Sequence, residues 1–378
     1  MKLALIAAAA IPAQTANSIQ TMKMAHAFAG LGHSVRVFVR GEDPGLSWKE
    51  IAHHYGLTRR LDLHWLPNRP IFRHYDFALS AVTKAEDWEA ELIYTRLPQA
   101  AALAARRGAA TIFEVHDLPT GFTGPRLLRS FLRGPEAQRL VVITRALARA
   151  LQTRYSLPGK KDFLLVAPDG VDLDRYEKLP TPKAARQALK MPEAFTVGYT
   201  GHLYSGRGIE LILECARRLP TMRFLLVGGR EEDVRRVQQQ ARDLQNLQLT
   251  GFVPNAELPR YQAACDLLLM PYGRRVSASS GGDIAPYLSP MKMFEYLACG
   301  RPILASDLPV LREVLNKHNA LILPIEDAST WVETIRALQS SAKRRIELSK
   351  AAKKSAAQYT WENRAIRLLQ GFAASAKI

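Results

Sequence analysis

The sequence predicts an α/β protein built from two doubly wound parallel sheets, one in each half of the chain. Short apolar runs alternate with helical patterns along almost all of its 378 residues. The runs are continuously apolar, which is typical of parallel strands covered by helices on both faces. The alternation stops at the Pro-rich stretch KLPTPK (178–183) and then begins again. Two similar Rossmann-like halves are therefore expected, at 1–180 and 181–357.

The first half contains seven apolar runs of strand length. They are LALIAAA (3–9), SVRVFV (34–39), LDLHWL (61–66), LIYT (92–95), ATIFEV (110–115), RLVVIT (139–144) and DFLLVA (162–167). A helix is expected from Ser18 to Gly30, after the first run. That first run and the small residues after it also resemble a secretory signal peptide. We interpret it as a strand, because the sheet needs it.

The second half contains six further runs and then a helical tail. The runs are FTVGYTG (195–201), MRFLLVGG (222–229), LQLTGFV (247–253), DLLLMPY (266–272), PILAS (302–306) and ALILP (320–324). Residues 358–378 are expected to form a helix that crosses back to the first half. Ligands of such sheets bind at the carboxyl ends of the strands, so two facing sheets would offer one cleft for two ligands.

Composition and charge narrow the class of protein. Hydrophobic residues make up 47% and charged residues 23%, which excludes disorder as the main state. No run reaches the roughly 18 apolar residues of a membrane-spanning helix. The net charge of +17 favours phosphate-bearing partners: nucleic acid, anionic lipid or phosphorylated small molecules. The basic residues are spread along the chain and no nucleic-acid module is present, so we predict no nucleic-acid partner.

The three cysteines indicate a reducing compartment. Cys215, Cys265 and Cys299 share no short spacing, and each lies in an apolar context. They are expected to be reduced core residues of a cytoplasmic protein, with neither a zinc site nor a disulfide framework.

A glycine-rich segment in the second half is a candidate phosphate site. GYTGHLYSGRGIELILECA (198–216) places Gly201, Gly206 and Gly208 between a strand and a helix. Glycine lets the backbone approach a ligand, and a helix N-terminus favours an anion. Arg207 would add a bidentate grip. The alternative is an ordinary glycine turn with a surface arginine.

A second segment of this half suggests recognition of a vicinal diol. SPMKMFEYLACGRPILASDLPVLREVL (289–315) begins a helix at Pro290 and ends it at Gly300. Glu295 then falls near the helix N-terminus, where its carboxylate can accept two hydroxyls, such as those of a ribose. The alternative is a solvated helix residue.

Together with GFVPNAELPRYQAACDLLLMPY (251–272), which resembles the family's base-reading G-x-V/I-P segment, these segments resemble the C-terminal domain of the family 4 glycosyltransferases, which have the GT-B fold. The likeness extends over nearly the whole chain. In this family a G-R-L-x-x-x-K-G loop binds the donor diphosphate and an E-x7-E helix binds the ribose and the sugar. The resemblance implies that Arg207 replaces the lysine, that His202 replaces the arginine, and that Glu295 is the second glutamate. The implied nucleotide-binding residues are Gly201, His202, Arg207, Gly208, Phe252, Val253 and Glu295.

This chain departs from the family pattern at the first glutamate, which is Tyr287 here. Asp283, in the loop SASSGGD, is the candidate replacement. The SPxKxFEY sequence resembles a subgroup of the family, and in it Lys292 compensates for the amide donor that Pro290 lacks. The implied sugar contacts of this half are Asp283, Ser289, Met291 and Lys292.

The first half carries further parts of the resemblance. LGHSVRVF (31–38) is similar to the second strand of the family. The loop 11–19 lacks the family's Gly-Gly, and Asn17 or Ser18 would take its place. His116, after ATIFEV, matches a histidine that contacts the donor sugar, although a lone histidine after a strand is more often structural.

The resemblance implies transfer of a hexose-type sugar from a nucleotide-diphosphate donor, with retention of configuration. UDP is the expected nucleotide, and a glycan or lipid-linked molecule is the expected acceptor. His116, Arg207 and Lys292 are the implied catalytic residues. Neither a metal nor a cofactor is expected. Closing the site would exclude water, and the cations would stabilise the leaving diphosphate.

A basic amphipathic segment suggests a membrane or acceptor surface. In PRLLRSFLRGPEAQR (125–139), apolar residues including Phe131 share one helical face, and Arg126, Arg129 and Arg133 surround it. Such a helix can lie on an anionic membrane. We therefore predict peripheral attachment to the inner face of the plasma membrane. The alternative is a core-facing helix with solvated arginines.

Three other functions stay open at this point. A catalytically weak sugar-nucleotide-binding subunit would explain Tyr287, His202 and the absent Gly-Gly. A nicotinamide-dependent oxidoreductase would need G-x-G-x-x-G after the first strand, where residues 8–16 contain no glycine. A nucleic-acid-binding protein rests on charge alone.

Overall fold

A computed structural model describes residues 1–277, 282–325 and 327–372. The chain divides into two compact units, Met1–Pro168 with Trp361–Ile378, and Asp169–Thr360. These bounds differ from the predicted ones chiefly at residues 169–180, which belong to the second unit.

The first unit contains a seven-stranded parallel sheet with the order β3-β2-β1-β4-β5-β6-β7. All seven predicted strands are present. The strands are β1 (Lys2–Ala7), β2 (Ser34–Arg40), β3 (Asp62–Leu66), β4 (Leu92–Thr95), β5 (Thr111–Val115), β6 (Ala137–Val142) and β7 (Leu164–Val166). The helices are α1 (Ala16–Gly30), α2 (Trp48–Tyr55), α3 (Tyr75–Asp87), α4 (Pro98–Arg106), α5 (Thr123–Leu132) and α6 (Arg145–Arg154).

The second unit contains a six-stranded parallel sheet with the order β10-β9-β8-β11-β12-β13. Its strands are β8 (Thr196–Thr200), β9 (Arg223–Val227), β10 (Leu247–Leu249), β11 (Leu267–Met270), β12 (Ile303–Ser306) and β13 (Leu321–Leu323). Its helices are α7 (Asp174–Glu177), α8 (Pro182–Ala188), α9 (Ile209–Arg218), α10 (Glu231–Gln240), α11 (Leu258–Ala263), α12 (Met291–Cys299), α13 (Ala328–Ser340) and α14 (Ala342–Ala356).

The two sheets share one topology, which confirms the prediction of two similar doubly wound halves. In each sheet the strand order reverses beside the first strand, between β1 and β4 and between β8 and β11. A sheet of this kind binds ligands at that reversal, outside the carboxyl ends of the strands. The central strands are apolar on both faces because helices cover both, and every residue of β11 is at most 1% exposed.

The last helix, α15 (Trp361–Leu369), packs against α1 and so belongs to the first unit. Arg139 of β6 satisfies the carbonyls that end α15, donating to the oxygens of Leu368 at 2.5 Å and Gln370 at 2.9 Å. Arg364 donates from inside α15 to the carbonyl of Pro168 at 3.0 Å. The predicted return of the chain to its first half is confirmed.

Residues 169–180 join the second unit through specific contacts. Val171 bridges to Thr360 beside the start of α15. Arg175 donates to the Asn255 side-chain oxygen at 2.7 Å. These contacts explain why the unit begins before KLPTPK.

All three cysteines are free and buried, as predicted for core residues. Among the described residues, no helix combines the length and apolarity that crossing a membrane requires.

Candidate functional site

The loop after β8 is built on glycines that no other residue can replace without rearrangement. Gly206 and Gly208 have φ of +79° and +74°. A Cβ atom on Gly206 would lie 2.0 Å from the Arg275 carbonyl oxygen, and one on Gly208 would lie 1.7 Å from that of Pro271. The loop therefore packs directly on the backbone that follows β11, at the point where the strand order reverses.

Arg207 lies between these two glycines, and Gly208 is the N-cap of α9. The Nε atom of Arg207 is buried and has no hydrogen-bond partner among the described residues. Its guanidinium carbon lies 5.3 Å from the centroid of the Tyr272 ring. The loop borders a cavity of about 400 Å³, whose lining includes Gly206, Gly208, Pro271 and Tyr272. Arg207 is not among the residues that line this cavity, whereas the acidic Glu210 is. The feature that suits the loop to an anionic ligand is the unsatisfied Nε of Arg207 beside the N-terminus of α9.

Lys292, the second residue of α12, brings another cation to the same loop. Its ammonium lies 3.7 Å from the centroid of the Tyr199 ring, and a Cβ on Gly201 would come within 2.7 Å of it. Lys292 Nζ is buried and lacks a hydrogen-bond partner in the described part of the chain. Burial, followed by the charge of Arg207, holds the pKa of Lys292 well below its usual value. The structure thus brings together Arg207 and Lys292.

His202 does not act as a third cation near neutral pH. Its ring stacks on Tyr204, with 4.6 Å between centroids and 6° between planes. Burial, and then the positive charges of Arg207 and Lys292, lower the pKa of His202 to about 4. Its neutral imidazole can still hydrogen-bond to a ligand.

Glu295 on α12 is held in place by a neighbouring amide. Gln262 of α11 donates from Nε2 to Glu295 Oε2 at 3.1 Å. Gln262 is itself fixed, because Tyr176 donates from its hydroxyl to Gln262 Oε1 at 2.9 Å. The carboxylate of Glu295 is only partly buried, so it can accept further hydroxyls.

The predicted base-reading segment lies next to the glycine loop. Gly201 donates from its amide to the Val227 carbonyl at 2.8 Å, and Gly228 donates to Gly251 at 2.8 Å. These bonds tie together the loops that follow β8, β9 and β10. Phe252, the next residue, is 39% exposed. Val253 follows it and is partly buried.

The expected sugar contacts of this unit differ in their surroundings. Asp283 uses Oδ1 to accept from the amides of Val276 at 2.9 Å and Ala285 at 3.0 Å, and these bonds lower its pKa. Its carboxylate therefore closes its own loop, of which residues 278–281 lie outside the described part. Ser289 is buried, and its Oγ has no partner among the described residues. Met291, the first residue of α12, is partly buried.

In the first unit, His116 follows β5 and is bound to a buried carboxylate. His116 Nε2 lies 2.5 Å from Glu114 Oε1, and the Glu114 side chain is completely buried. Glu114 also accepts from Gln20 at 2.8 Å and from the Tyr94 hydroxyl, and it pairs with Arg364 of α15 at 2.8 Å. Four side chains therefore surround the Glu114 carboxylate near the carboxyl end of β5. They belong to Gln20, Tyr94, His116 and Arg364.

The electrostatics of this cluster fix the protonation of His116. Burial by itself would raise the pKa of Glu114, but the charge of Arg364 and the hydrogen bond from His116 outweigh it, so that pKa lies far below its usual value. Burial and then the charge of Arg96 lower the pKa of His116 to about 4. The neutral imidazole donates from Nε2 to Glu114, which leaves Nδ1 as an acceptor.

Of the two residues of loop 11–19 that were expected to contact the sugar, Ser18 is used by the fold itself. The prediction for Ser18 conflicts with its surroundings: the residue is fully buried, and its hydroxyl donates to the carbonyls of Ala13 at 2.6 Å and Thr15 at 2.8 Å. Ser18 therefore stabilises the start of α1. Asn17, in the same first turn, is partly buried.

The predicted membrane face of α5 is the face that packs on the core. Phe131 is 0% exposed, and its ring lies 5.3 Å from that of Phe113. Placing Phe131 on the surface was wrong, because the apolar stripe of this helix covers the sheet. Arg126, Arg129 and Arg133 are exposed, as solvated arginines of a core-facing helix.

Sequence reasoning missed Glu114, Arg364 and Gln262. Glu114 had a detectable signal, since a carboxylate within the apolar run TIFEV must find a partner when buried. Nothing local in the sequence identifies Arg364 or Gln262 as the partners of particular carboxylates, because each lies far along the chain from its carboxylate.

Two doubly wound sheets with matching strand orders, of which the first has β7 in addition, define the GT-B class of fold. At its reversal point the second sheet carries a glycine loop and two buried nitrogen atoms, Arg207 Nε and Lys292 Nζ, that lack hydrogen-bond partners among the described residues. The family model described as Glycosyltransferase Family 4 matches residues 18–175, and that described as Glycosyl transferases group 1 matches residues 194–341. Each model therefore matches one part of the chain, the first the part that carries β2 to β7 and the second the part that carries β8 to β13.

Individual curated glycosyltransferases are also similar to this chain. The chain is 29% identical over 251 residues to a D-inositol 3-phosphate glycosyltransferase of Mycobacteroides abscessus, covering 63% of this chain and 52% of that protein. The chain spans about half the length of the curated relatives it matches.

Solved structures show the same fold. The sucrose-phosphate synthase of Thermosynechococcus elongatus superposes with a TM-score of 0.74 at 19% identity, covering 99% of this chain and 100% of that one. HepE of Anabaena, in complex with UDP-glucose, superposes with a TM-score of 0.73 at 17% identity and the same coverage.

Proposed function

We propose that this protein transfers a hexose-type sugar, with retention of configuration, from a nucleotide-diphosphate donor to a glycan or lipid-linked acceptor. UDP is the proposed nucleotide, and the solved complexes of HepE with UDP and UDP-glucose support that choice. The proposal includes membership of the family subgroup that the SPxKxFEY sequence resembles. No metal or cofactor takes part, and the enzyme works in the cytoplasm.

The observation that carries the proposal is the pair of partly buried cationic side chains, Arg207 and Lys292, at the glycine loop. Arg207 Nε and Lys292 Nζ are both buried without a hydrogen-bond partner in the described residues. Buried donors are almost always satisfied, and a diphosphate would satisfy both. Glu295, held by Gln262, is assigned to the ribose hydroxyls, and Phe252 with Val253 to the base.

The reaction forms a bond between an acceptor hydroxyl oxygen and the anomeric carbon of the sugar. The bond from that carbon to the diphosphate oxygen breaks, and the acceptor proton moves to the leaving diphosphate. Arg207 and Lys292 stabilise the charge that develops on the diphosphate. His116 is assigned to a hydroxyl of the donor sugar through Nδ1, with Asn17 and the 283–292 segment as further sugar contacts.

An anionic acceptor fits both the relatives and the charge of the chain. Several curated relatives are named for D-inositol 3-phosphate, a phosphorylated polyol. A chain with a net charge of +17 suits such an anionic acceptor as well as a lipid-linked one.

Thermal shift with UDP-, GDP- and ADP-sugars, followed by donor hydrolysis without acceptor, tests the proposal. The matching donor at 100 times its dissociation constant should add about 2.7 kcal/mol of stability. Arg207→Ala should abolish that shift, whereas Arg242→Ala, an exposed arginine of the same unit, should preserve it. Donor binding with no turnover would favour the alternative, a catalytically weak binding subunit, and no shift with any donor would contradict the proposal.

A further inference from the structure

The first unit exposes a compact group of large apolar side chains, which we call the 71–79 patch. Ile71 is 82% exposed, Phe72 48%, Tyr75 47% and Leu79 48%. Elsewhere in the described chain the large exposed apolar residues are scattered, apart from this group within nine consecutive positions. Monomeric proteins rarely expose contiguous apolar surface without a use for it.

The fold holds this patch outward. Tyr75 and Leu79 are four residues apart on α3 and therefore share one helical face. The opposite face of α3, including Phe77 and Val82, is fully buried on the sheet. Ile71 and Phe72 form a short 3₁₀ turn that begins just after β3 ends, so the patch lies toward the carboxyl edge of this sheet.

The backbone beside the patch is in an unusual conformation. Arg73 and His74 have φ of +45° and +71°, in the left-handed region that non-glycine residues seldom adopt. His74 Nδ1 lies 2.7 Å from Asn68 Oδ1, which secures this turn. The fixed turn separates the apolar side chains of the 3₁₀ segment from the buried core of α3.

The charges around the patch are positive. Arg69 and Arg73 flank Ile71 and Phe72, are exposed, and form no ion pair with a described residue. Asp76 accepts from the Arg69 amide at 2.7 Å, and this hydrogen bond, with a smaller contribution from the charge of Arg69, lowers the pKa of Asp76. Farther along α3, Glu86 is paired with Arg107 at 3.2 Å.

We infer that the 71–79 patch docks on an anionic lipid surface. Ile71 and Phe72 enter the boundary between headgroups and acyl chains, and Arg69 and Arg73 meet the phosphates. Exposed aliphatic and aromatic side chains, bordered by the exposed arginines Arg69 and Arg73, complement such a surface in both polarity and charge. The inference moves the membrane face from α5 to the start of α3, and it does not depend on the sugar that the protein transfers.

Flotation of the full chain with phosphatidylcholine vesicles, with and without phosphatidylglycerol, tests this inference. The protein should float only with the anionic vesicles, and added salt should weaken its binding. Arg69→Gln with Arg73→Gln should weaken binding roughly fivefold for each arginine. Ile71→Ser with Phe72→Ser should also reduce binding, because it removes the inserting side chains.

Matched controls separate the patch from general charge and hydrophobicity. Arg242→Gln with Lys343→Gln removes the same charge from exposed sites of the other unit, and Ile346→Ser removes an isoleucine that is 55% exposed. Both controls should bind as the unmodified protein does, and circular dichroism should show all variants folded.

Three results would overturn the inference. The first is equal binding by the patch variants and the controls, and the second is no binding to anionic vesicles at low salt. The third is a dimer that Ile71→Ser with Phe72→Ser dissociates while vesicle binding is unchanged, because the patch would then be a contact between two copies of the chain.

Discussion

His116 Nε2 lies 2.5 Å from Glu114 Oε1, so a completely buried carboxylate sets the orientation of the one histidine at the end of β5. The same carboxylate balances the charge of Arg364 from the last helix. Glu114 therefore contacts both His116, the proposed sugar contact, and Arg364 on the helix that returns to the first unit. We expect Glu114 to affect both activity and stability.

Glu114→Gln should lower both the activity and the stability of the protein. The amide leaves Arg364 buried without a counter-charge, and breaking a buried pair costs about 3–5 kcal/mol. It also removes the charge that holds His116 in one tautomer, so kcat should fall more than KM rises. Urea unfolding and steady-state kinetics measure the two effects. Tyr94→Phe removes one charge-assisted hydrogen bond to the same carboxylate but keeps its pairing with Arg364, so it should cost less, about 1.5–3 kcal/mol.

Acidification should destabilise the protein between about pH 6.5 and pH 4. The pKa values of His116 and His202 lie near 4 in the folded protein, below the ordinary 6.5. The unfolded chain therefore binds more protons in this window, and stability rises with pH across it. Urea unfolding at several pH values measures the slope. His202→Asn should reduce it, and an unchanged slope in that variant would contradict the low pKa of His202.

Lys292→Met should make the unliganded protein more stable while weakening nucleotide binding. The buried ammonium has no hydrogen-bond partner among the described residues, and an unsatisfied buried group costs about 1–3 kcal/mol. Binding of UDP, measured by calorimetry, should weaken by about 10- to 100-fold, because a charge-assisted bond is lost. Lys350→Met, at an exposed site on α14, should change neither quantity. A destabilised Lys292→Met protein would indicate a structural role.

Gly206→Ala should lower stability and weaken UDP binding by more than the positive φ of Gly206 alone would cause. The added Cβ would meet the Arg275 carbonyl oxygen at 2.0 Å. Gly32 is the matched control, because its φ is +84° and a Cβ there meets nothing within 4 Å. Gly32→Ala should cost about 1 kcal/mol from left-handed strain alone. Thermal unfolding and UDP titration compare the two variants, and equal effects would mean that the close approach is unimportant.

The periodicity of apolar residues predicted the architecture well. All thirteen strands lie where continuous apolar runs predicted them, because a strand covered on both faces must be apolar throughout. The segments around Gly206 and Glu295 were also identified, since a glycine loop and a helix start leave local signals. The return of α15 followed from its helical pattern and the resemblance.

The remaining errors arose from tertiary packing. The arginines of α5 indicated a surface helix, but the sequence does not reveal whether an apolar stripe meets lipid or a sheet, and Phe131 meets the sheet. Ser18 looked like a polar group available to a ligand, but the turn before α1 uses its hydroxyl. Gln262 contacts Glu295 and Arg364 contacts Glu114, and both partners lie far away in the sequence. The periodicity of apolar residues carries no information about such contacts.

The position of Arg364 has a consequence for synthesis on the ribosome. The partner of Glu114 is translated about 250 residues after it, once the whole second unit has been made. Until then a nascent first unit holds the Glu114 carboxylate without the Arg364 charge that pairs with it, so its folding should finish late. A chain arrested before Trp361 should remain bound to chaperones, even though every strand of its first sheet has already emerged.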